Sequence, residues 1–127
     1  MKNFLLVDDD NVFNFISKMT LEKMHLVNDI RAAANGEEAL NLLNDYYKRT
    51  LPDIILLDIN MPIMDGFGFL EAFNKLNLKG KEKVSIIVVT SSLDPGDISK
   101  VKDLGAVACI SKPLSEDMLL AALQNVN

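Results

Sequence analysis

The chain has 127 residues, 49% hydrophobic and 24% charged, with a formal net charge of -5 at pH 7. That size and balance imply one globular domain, spanning 1–127, with a core of its own, and exclude an intrinsically disordered chain. The negative balance argues against direct nucleic-acid binding, which needs clustered Lys and Arg. Cys109 is the only cysteine, so neither an internal disulfide nor a thiolate metal site is expected. No apolar run is long enough for a signal sequence or a membrane span, so the expected compartment is the cytoplasm, with no membrane partner.

In chain order, Phe4 to Val7 is a short apolar run that reads as a buried strand, and it ends in three acids, Asp8, Asp9 and Asp10. A helix follows, with Val12, Ile16, Met19 and Lys23 on one face and Phe13 and Thr20 beside it; Asp10 or Asn11 is suited to its cap. Methionines and phenylalanines at helical spacing are expected in the core. A second strand is expected over 29–34, closed by Asn35-Gly36. Glu37 and Glu38 then favour a helix start, and that helix buries Ala39, Leu43 and Tyr46, or Leu40, Leu43 and Tyr47.

After Pro52 comes Ile54 to Leu57, four branched apolar residues in a row, which reads as a strand buried on both faces. Asp58 closes it. A carboxylate buried without compensation costs several kcal/mol, so Asp58 is expected to emerge at the strand's carboxyl end, where open α/β sheets bind ligands. Pro62 and Asp65-Gly66 mark a loop into a helix that buries Phe69, Leu70, Phe73 and Leu76 and turns Glu71, Asn74 and Lys75 to water. The basic run from Lys79 to Lys83 reads as a solvated loop. A strand over 84–89 ends at Thr90, and Asp94-Pro95-Gly96 opens a helix with Ile98, Val101 and Leu104 inward. Ala108 to Ser111 is the last strand, followed by Lys112-Pro113 and a helix over 115–124.

Five strands alternating with five helices through short loops require an α/β fold, a doubly wound parallel sheet, because each right-handed crossover needs a bridging helix. The order 2-1-3-4-5 sets strands one and three side by side and brings Asp8, Asp9 and Asp58 into one crevice. Two carboxylates 4 Å apart repel by roughly 4 kcal/mol at an effective dielectric of 20, so a cation is expected among them. Hard oxygen donors select Mg²⁺, with the backbone carbonyl of Asn60 as a further ligand. Thr90 and Lys112 fall at the same edge, where a hydroxyl and an ammonium would position and neutralise a phosphoryl group. Taken singly, these residues have blander readings: a helix cap, a strand-end hydroxyl, a surface lysine. Together they fit phosphoryl transfer to a carboxylate, with Asp58 as acceptor.

The sequence resembles the receiver domain of two-component response regulators. The likeness is carried by Val7-Asp8-Asp9, Asn35 to Leu40, Asp53 to Asp58, Met61-Pro62, Met64-Asp65-Gly66, Thr90, Leu104-Gly105-Ala106 and Lys112-Pro113. It implies a flavodoxin-like fold, and the sheet order rests on it as much as on the strand count. It further implies phosphorylation of Asp58 by a histidine kinase or histidine phosphotransfer protein with Mg²⁺, in a signalling domain rather than a conventional enzyme. A shift at Thr90 would re-present the face of the fourth helix, fifth strand and fifth helix to a downstream protein target. A cis Lys112-Pro113 bond is implied as well. The family usually carries an aromatic residue three positions before the lysine, where this chain has Cys109, so ring rotation cannot be part of its switch.

Two other functions fit part of the pattern. Asp8 to Val12 matches the opening of haloacid-dehalogenase-type phosphatases, with Asp8 as nucleophile, but Glu116 and Asp117 lie in a helix start where such enzymes need paired acids, and Asp58 would have no role. A receiver-fold interaction module that never takes phosphate is the other. Asn60 and Ser92, each two residues past a site residue, are expected to tune phosphate lifetime. His25, the only histidine, is expected to be neither phosphodonor nor metal ligand.

Overall fold

A computed structural model describes residues 1–45, 50–91 and 94–126. Five strands, β1 (Lys2–Val7), β2 (Val27–Ala33), β3 (Ile54–Leu57), β4 (Ser85–Thr90) and β5 (Ala108–Ser111), form one sheet in the order β2-β1-β3-β4-β5. All four pairings are parallel. The helices are α1 (Asn11–Lys23), α2 (Gly36–Asp45), α3 (Gly66–Lys75), α4 (Pro95–Asp103) and α5 (Glu116–Leu123). None of the described helices is long and apolar enough to cross a membrane.

Side chains alternate across a strand, so the unbroken apolar run of β3 feeds two cores. Ile55 and Leu57 join Leu5 and Val7 in a cluster closed by Leu43 of α2, Phe69, Leu70 and Phe73 of α3 and Val101 of α4. Ile54 and Leu56 join Phe4 and Leu6 under Leu21 of α1 and Leu119 and Ala122 of α5. Helices therefore cover both faces of the sheet, as the strand-helix alternation requires.

Strand limits differ from expectation at β1, β2 and β4: β1 begins at Lys2 rather than Phe4, and β2 ends at Ala33 rather than Ala34. β2 begins at Val27, because an irregularity beside Lys2 and Asn3 lets Asn28 bulge while its amide donates to Asn3 Oδ1 at 2.9 Å. β4 runs one residue later, through Thr90, since Val84 closes a 3-10 turn at Lys81–Lys83. That turn also corrects the reading of the basic run. The Lys81 ammonium donates to the Leu76, Asn74 and Phe73 carbonyls at 2.8, 3.0 and 3.2 Å, holding the carbonyl end of α3, where a cation is favoured.

The larger correction concerns α1. Val12, Phe15, Ile16 and Met19, at i, i+3, i+4 and i+7, point into solvent with exposures of 68%, 64%, 51% and 56%. The face turned inward carries Asn14, Ser17 and Leu21. Periodicity placed the helix correctly, but the apolar stripe is not its core face. In α2, Ala39 and Leu43 are buried and Leu40 is half-buried; the expectations at Tyr46 and Tyr47 lie outside the described residues.

Candidate functional site

The site grows from the registers at the carboxyl edge of the sheet. Val7 of β1 pairs with Leu57 of β3, so the next residues, Asp8 and Asp58, leave the sheet side by side. The Asp58 N–H donates to the Val7 carbonyl at 2.9 Å, and the Asp8 N–H to the Ala33 carbonyl at 3.0 Å, so both acids hang from sheet hydrogen bonds. Carboxylate oxygens of Asp8, Asp9 and Asp58 all lie within 4.8 Å of one another, with Asp8 and Asp58 buried and Asp9 exposed.

Leu57 also pairs with Val88, and Thr90 with Ser111, so Thr90 and Lys112 finish at this same edge. Thr90 is fully buried, and its carbonyl accepts from the Lys112 N–H at 2.9 Å. The Lys112 ammonium stands 2.7 Å from Asp8 Oδ2 and 3.5 Å from Asp58 Oδ2, and the Lys112-Pro113 peptide bond is cis. Asn60 is exposed in the loop after β3, while Ser92 lies outside the described residues.

Burial raises the Asp58 pKa above the ordinary carboxylate value, and the Asp8 charge raises it further. Lys112 and the Ile59 N–H, which donates to Asp58 Oδ1 at 2.8 Å, oppose this without cancelling it. Burial pulls the Lys112 ammonium down, but the Asp8 hydrogen bond and the two carboxylate charges outweigh it and leave the pKa raised. One ammonium facing three carboxylates leaves negative charge uncompensated. The all-oxygen donor set and its close spacing fit a hard divalent cation.

The loop from Asp58 to α3 is tightly constrained. A Cβ on Gly66 would lie 2.5 Å from the Asp58 carbonyl oxygen, so only glycine fits there, and its N–H donates to the Ile59 carbonyl at 2.8 Å. Asp65 caps α3 by accepting from the Gly68 N–H at 2.8 Å. Between them and the site, Ile63 stands at φ 68 inside a γ-turn closed by Met64 N–H to the Pro62 carbonyl at 2.7 Å. A branched side chain in that region is strained.

Three residues at this edge were not singled out for it from the sequence. Asn14, on the inward face of α1, donates from Nδ2 to the Asp8 carbonyl at 3.0 Å. Ile59 supplies the N–H described above. Phe13 places its ring under the Lys112 ammonium, 4.3 Å from the ring centroid. A polar residue at a core spacing of α1 was the available signal for Asn14; nothing in the sequence pointed to the ring. Asp10 caps α1, its Oδ1 accepting from the Val12 and Phe13 N–H groups. His25 follows the same helix at φ 56 and is not part of the acidic cluster.

Cys109 lies on β5, at the position where the family usually carries an aromatic residue. It is half-buried and lines a groove of about 340 Å³ with Val107, Met118 and Ala121, and burial pushes its thiol pKa up.

This geometry agrees with what comparison with known proteins finds. The model of the response regulator receiver domain family matches residues 4–124. The probable C4-dicarboxylate response regulator DctR of Bacillus subtilis is 32% identical over 120 residues, covering 94% of this chain and 50% of its own length. The probable transcriptional regulator ycf27 of Porphyridium aerugineum is also 32% identical, over 98% of this chain and 48% of its own. A two-component response regulator from Cytophaga hutchinsonii superposes with a TM-score of 0.87 at 32% identity, covering 96% of this chain and 93% of that one. The Vibrio cholerae chemotaxis protein CheY4 does so at 0.81 and 30% identity, covering 100% and 99%.

The chain belongs to the response regulator receiver domains of two-component signal transduction, with a flavodoxin-like, CheY-like fold. It spans about half the length of these two curated relatives. Family membership sets aside the haloacid-dehalogenase reading, and the acids that mimic that motif serve here as crevice residues and a helix cap.

Proposed function

We propose that this receiver accepts a phosphoryl group on Asp58 from a histidine kinase or a histidine phosphotransfer protein. The observation that carries the reading is the position of Asp58: buried at a strand end, with carboxylate oxygens of Asp8 and Asp9 within 4.8 Å and the Lys112 ammonium at 3.5 Å. In the transfer, an Asp58 oxygen bonds to phosphorus as the phosphorus–nitrogen bond of a phosphohistidine breaks, and the imidazole leaves with a proton. Asp8, Asp9, Asp58 and the Asn60 backbone carbonyl would hold Mg²⁺, which supplies neutralisation of charge on the phosphoryl oxygens. Lys112 pairs with one phosphoryl oxygen and the Thr90 hydroxyl donates to another.

The exposed stripe of Val12, Phe15, Ile16 and Met19 begins one turn from the acids and gives a donor protein an apolar surface on which to rest. Phosphorylation replaces the single charge of the Asp58 carboxylate with the roughly two charges of an acyl phosphate, drawing Thr90 and Lys112 toward it and changing the face of α4, β5 and α5 for a downstream protein target. A nearly complete shift between two states needs on the order of 5 kcal/mol of differential interaction. With Cys109 on β5, Thr90 carries that coupling without a swinging ring.

Incubation with acetyl phosphate and Mg²⁺ tests the reading. Wild type should gain a base-labile phosphoryl adduct that Asp58→Asn abolishes. A wild-type chain that stays unmodified would instead support an interaction module that never takes phosphate.

A further inference from the structure

We propose that Phe13 is a positioning residue for Lys112, its ring holding the ammonium over the phosphoacceptor. The proposal rests on the phosphoacceptor reading for its functional consequence, though the contact stands on geometry alone. Among the described residues the Lys112 ammonium meets Asp8 Oδ2 at 2.7 Å, Asp58 Oδ2 at 3.5 Å and the Phe13 ring at 4.3 Å from its centroid. The lysine side chain is 19% exposed, and a cation shielded from water gains more from an aromatic face than one in solvent.

The three contacts differ in what a transfer does to them. Asp8 Oδ2, the closest, is an oxygen that any cation bound among the acids would also draw. The contact with Asp58 changes when that carboxylate becomes an acyl phosphate. The ring takes part in neither event, so it is the neighbour that stays constant while the others exchange. Without it, a four-carbon stem with rotatable bonds has no other uncharged anchor among the contacts described.

The ring is itself firmly placed. Phe13 lies in the first turn of α1, its N–H donates to Asp10 Oδ1 at 3.1 Å, and its side chain packs against the core cluster of Leu21 and Leu119. The next residue, Asn14, ties the same turn to the Asp8 carbonyl at 3.0 Å. The start of α1 therefore fixes both the backbone of Asp8 and the aromatic face that aims the lysine. Phe13 also adjoins Val12 on the exposed apolar stripe, so a protein pressing on that stripe would act on the turn that carries the ring.

The test compares wild type with Phe13→Leu, which keeps apolar bulk, and Phe13→Tyr, which keeps a ring face. Two readouts are taken: the rate of phosphorylation by acetyl phosphate with Mg²⁺, and the proton chemical shift of the Lys112 ε-methylene without phosphodonor. Wild type and Phe13→Tyr should show an upfield ring-current displacement that Phe13→Leu lacks. Phe13→Leu should lose between about threefold and tenfold in rate, the range such a contact supports, and Phe13→Tyr should recover most of it. Thermal unfolding of the variants checks that the fold is retained. No displacement in wild type, or an unchanged rate in Phe13→Leu, overturns the proposal. A wild type that shows the displacement but takes no phosphate supports the contact and overturns the phosphoacceptor reading instead.

Discussion

Helices α1 and α3 carry similar apolar periodicity and use it in opposite directions. In α3, Phe69, Leu70 and Phe73 are buried and the two rings stack at 5.8 Å, so the stripe is the core face. In α1 the stripe of Val12, Phe15, Ile16 and Met19 faces water, and Asn14 and Ser17 are packed inward instead. Leu21 and Phe13 turn inward with this polar pair, but the hydrophobic effect alone does not favour leaving the four-residue stripe in water. What holds the helix is specific: the Asp10 cap and the amide of Asn14 on the Asp8 carbonyl, both tied to the acidic site. A helix that gives up apolar burial to keep two polar anchors is one whose orientation serves the site.

The comparison breaks or sharpens under substitution. The largest contrast is between two phenylalanines. Phe69→Ala should destabilise by about 3–5 kcal/mol, and Phe15→Ala by no more than about 0.5 kcal/mol, measured by urea unfolding. Equal costs would mean that the α1 stripe is buried in solution. Next is Ser17, whose hydroxyl is buried with no hydrogen-bond partner among the described residues. Ser17→Ala should raise stability by about 1 kcal/mol, since it removes a desolvated donor without opening much space. Smaller still is the effect at Ile63, 78% exposed at φ 68. Ile63→Gly should stabilise by up to about 1 kcal/mol, the relief of strain less the entropy glycine loses on folding.

The last effect is read against pH. The Asp58 pKa is raised in the folded state, so within the window between the ordinary carboxylate value and the raised one the native chain binds more protons than the unfolded chain. Stability from this group therefore falls as pH rises through that window and is constant below it. Asp58→Asn should flatten that part of the stability profile, and an unchanged slope would show that Asp58 ionises freely.

Much of this was legible beforehand, for identifiable reasons. The run Ile54 to Leu57 declared itself because a strand covered on both faces has no room for alternation, and an acid at its end has nowhere to go but the sheet edge. Asp8, Thr90 and Lys112 followed once the strand order was known, since parallel registers carry strand ends to one edge. The orientation of α1 was not legible, because period alone marks a stripe without saying what covers it. Lys81 was missed because its partners are backbone carbonyls, which look alike in any sequence. Phe13 was missed because its partner lies 99 residues away on a loop whose path depends on the whole sheet.

The most direct measurement is a crystal structure grown with Mg²⁺ and beryllofluoride, a phosphoryl mimic that attaches to an acceptor carboxylate. The account predicts the mimic on Asp58, with the ion against Asp8 and Asp9 and the Lys112 ammonium on a fluorine. The mimic on Asp8, or Asp58 turned away from a site that holds no ion, would contradict it.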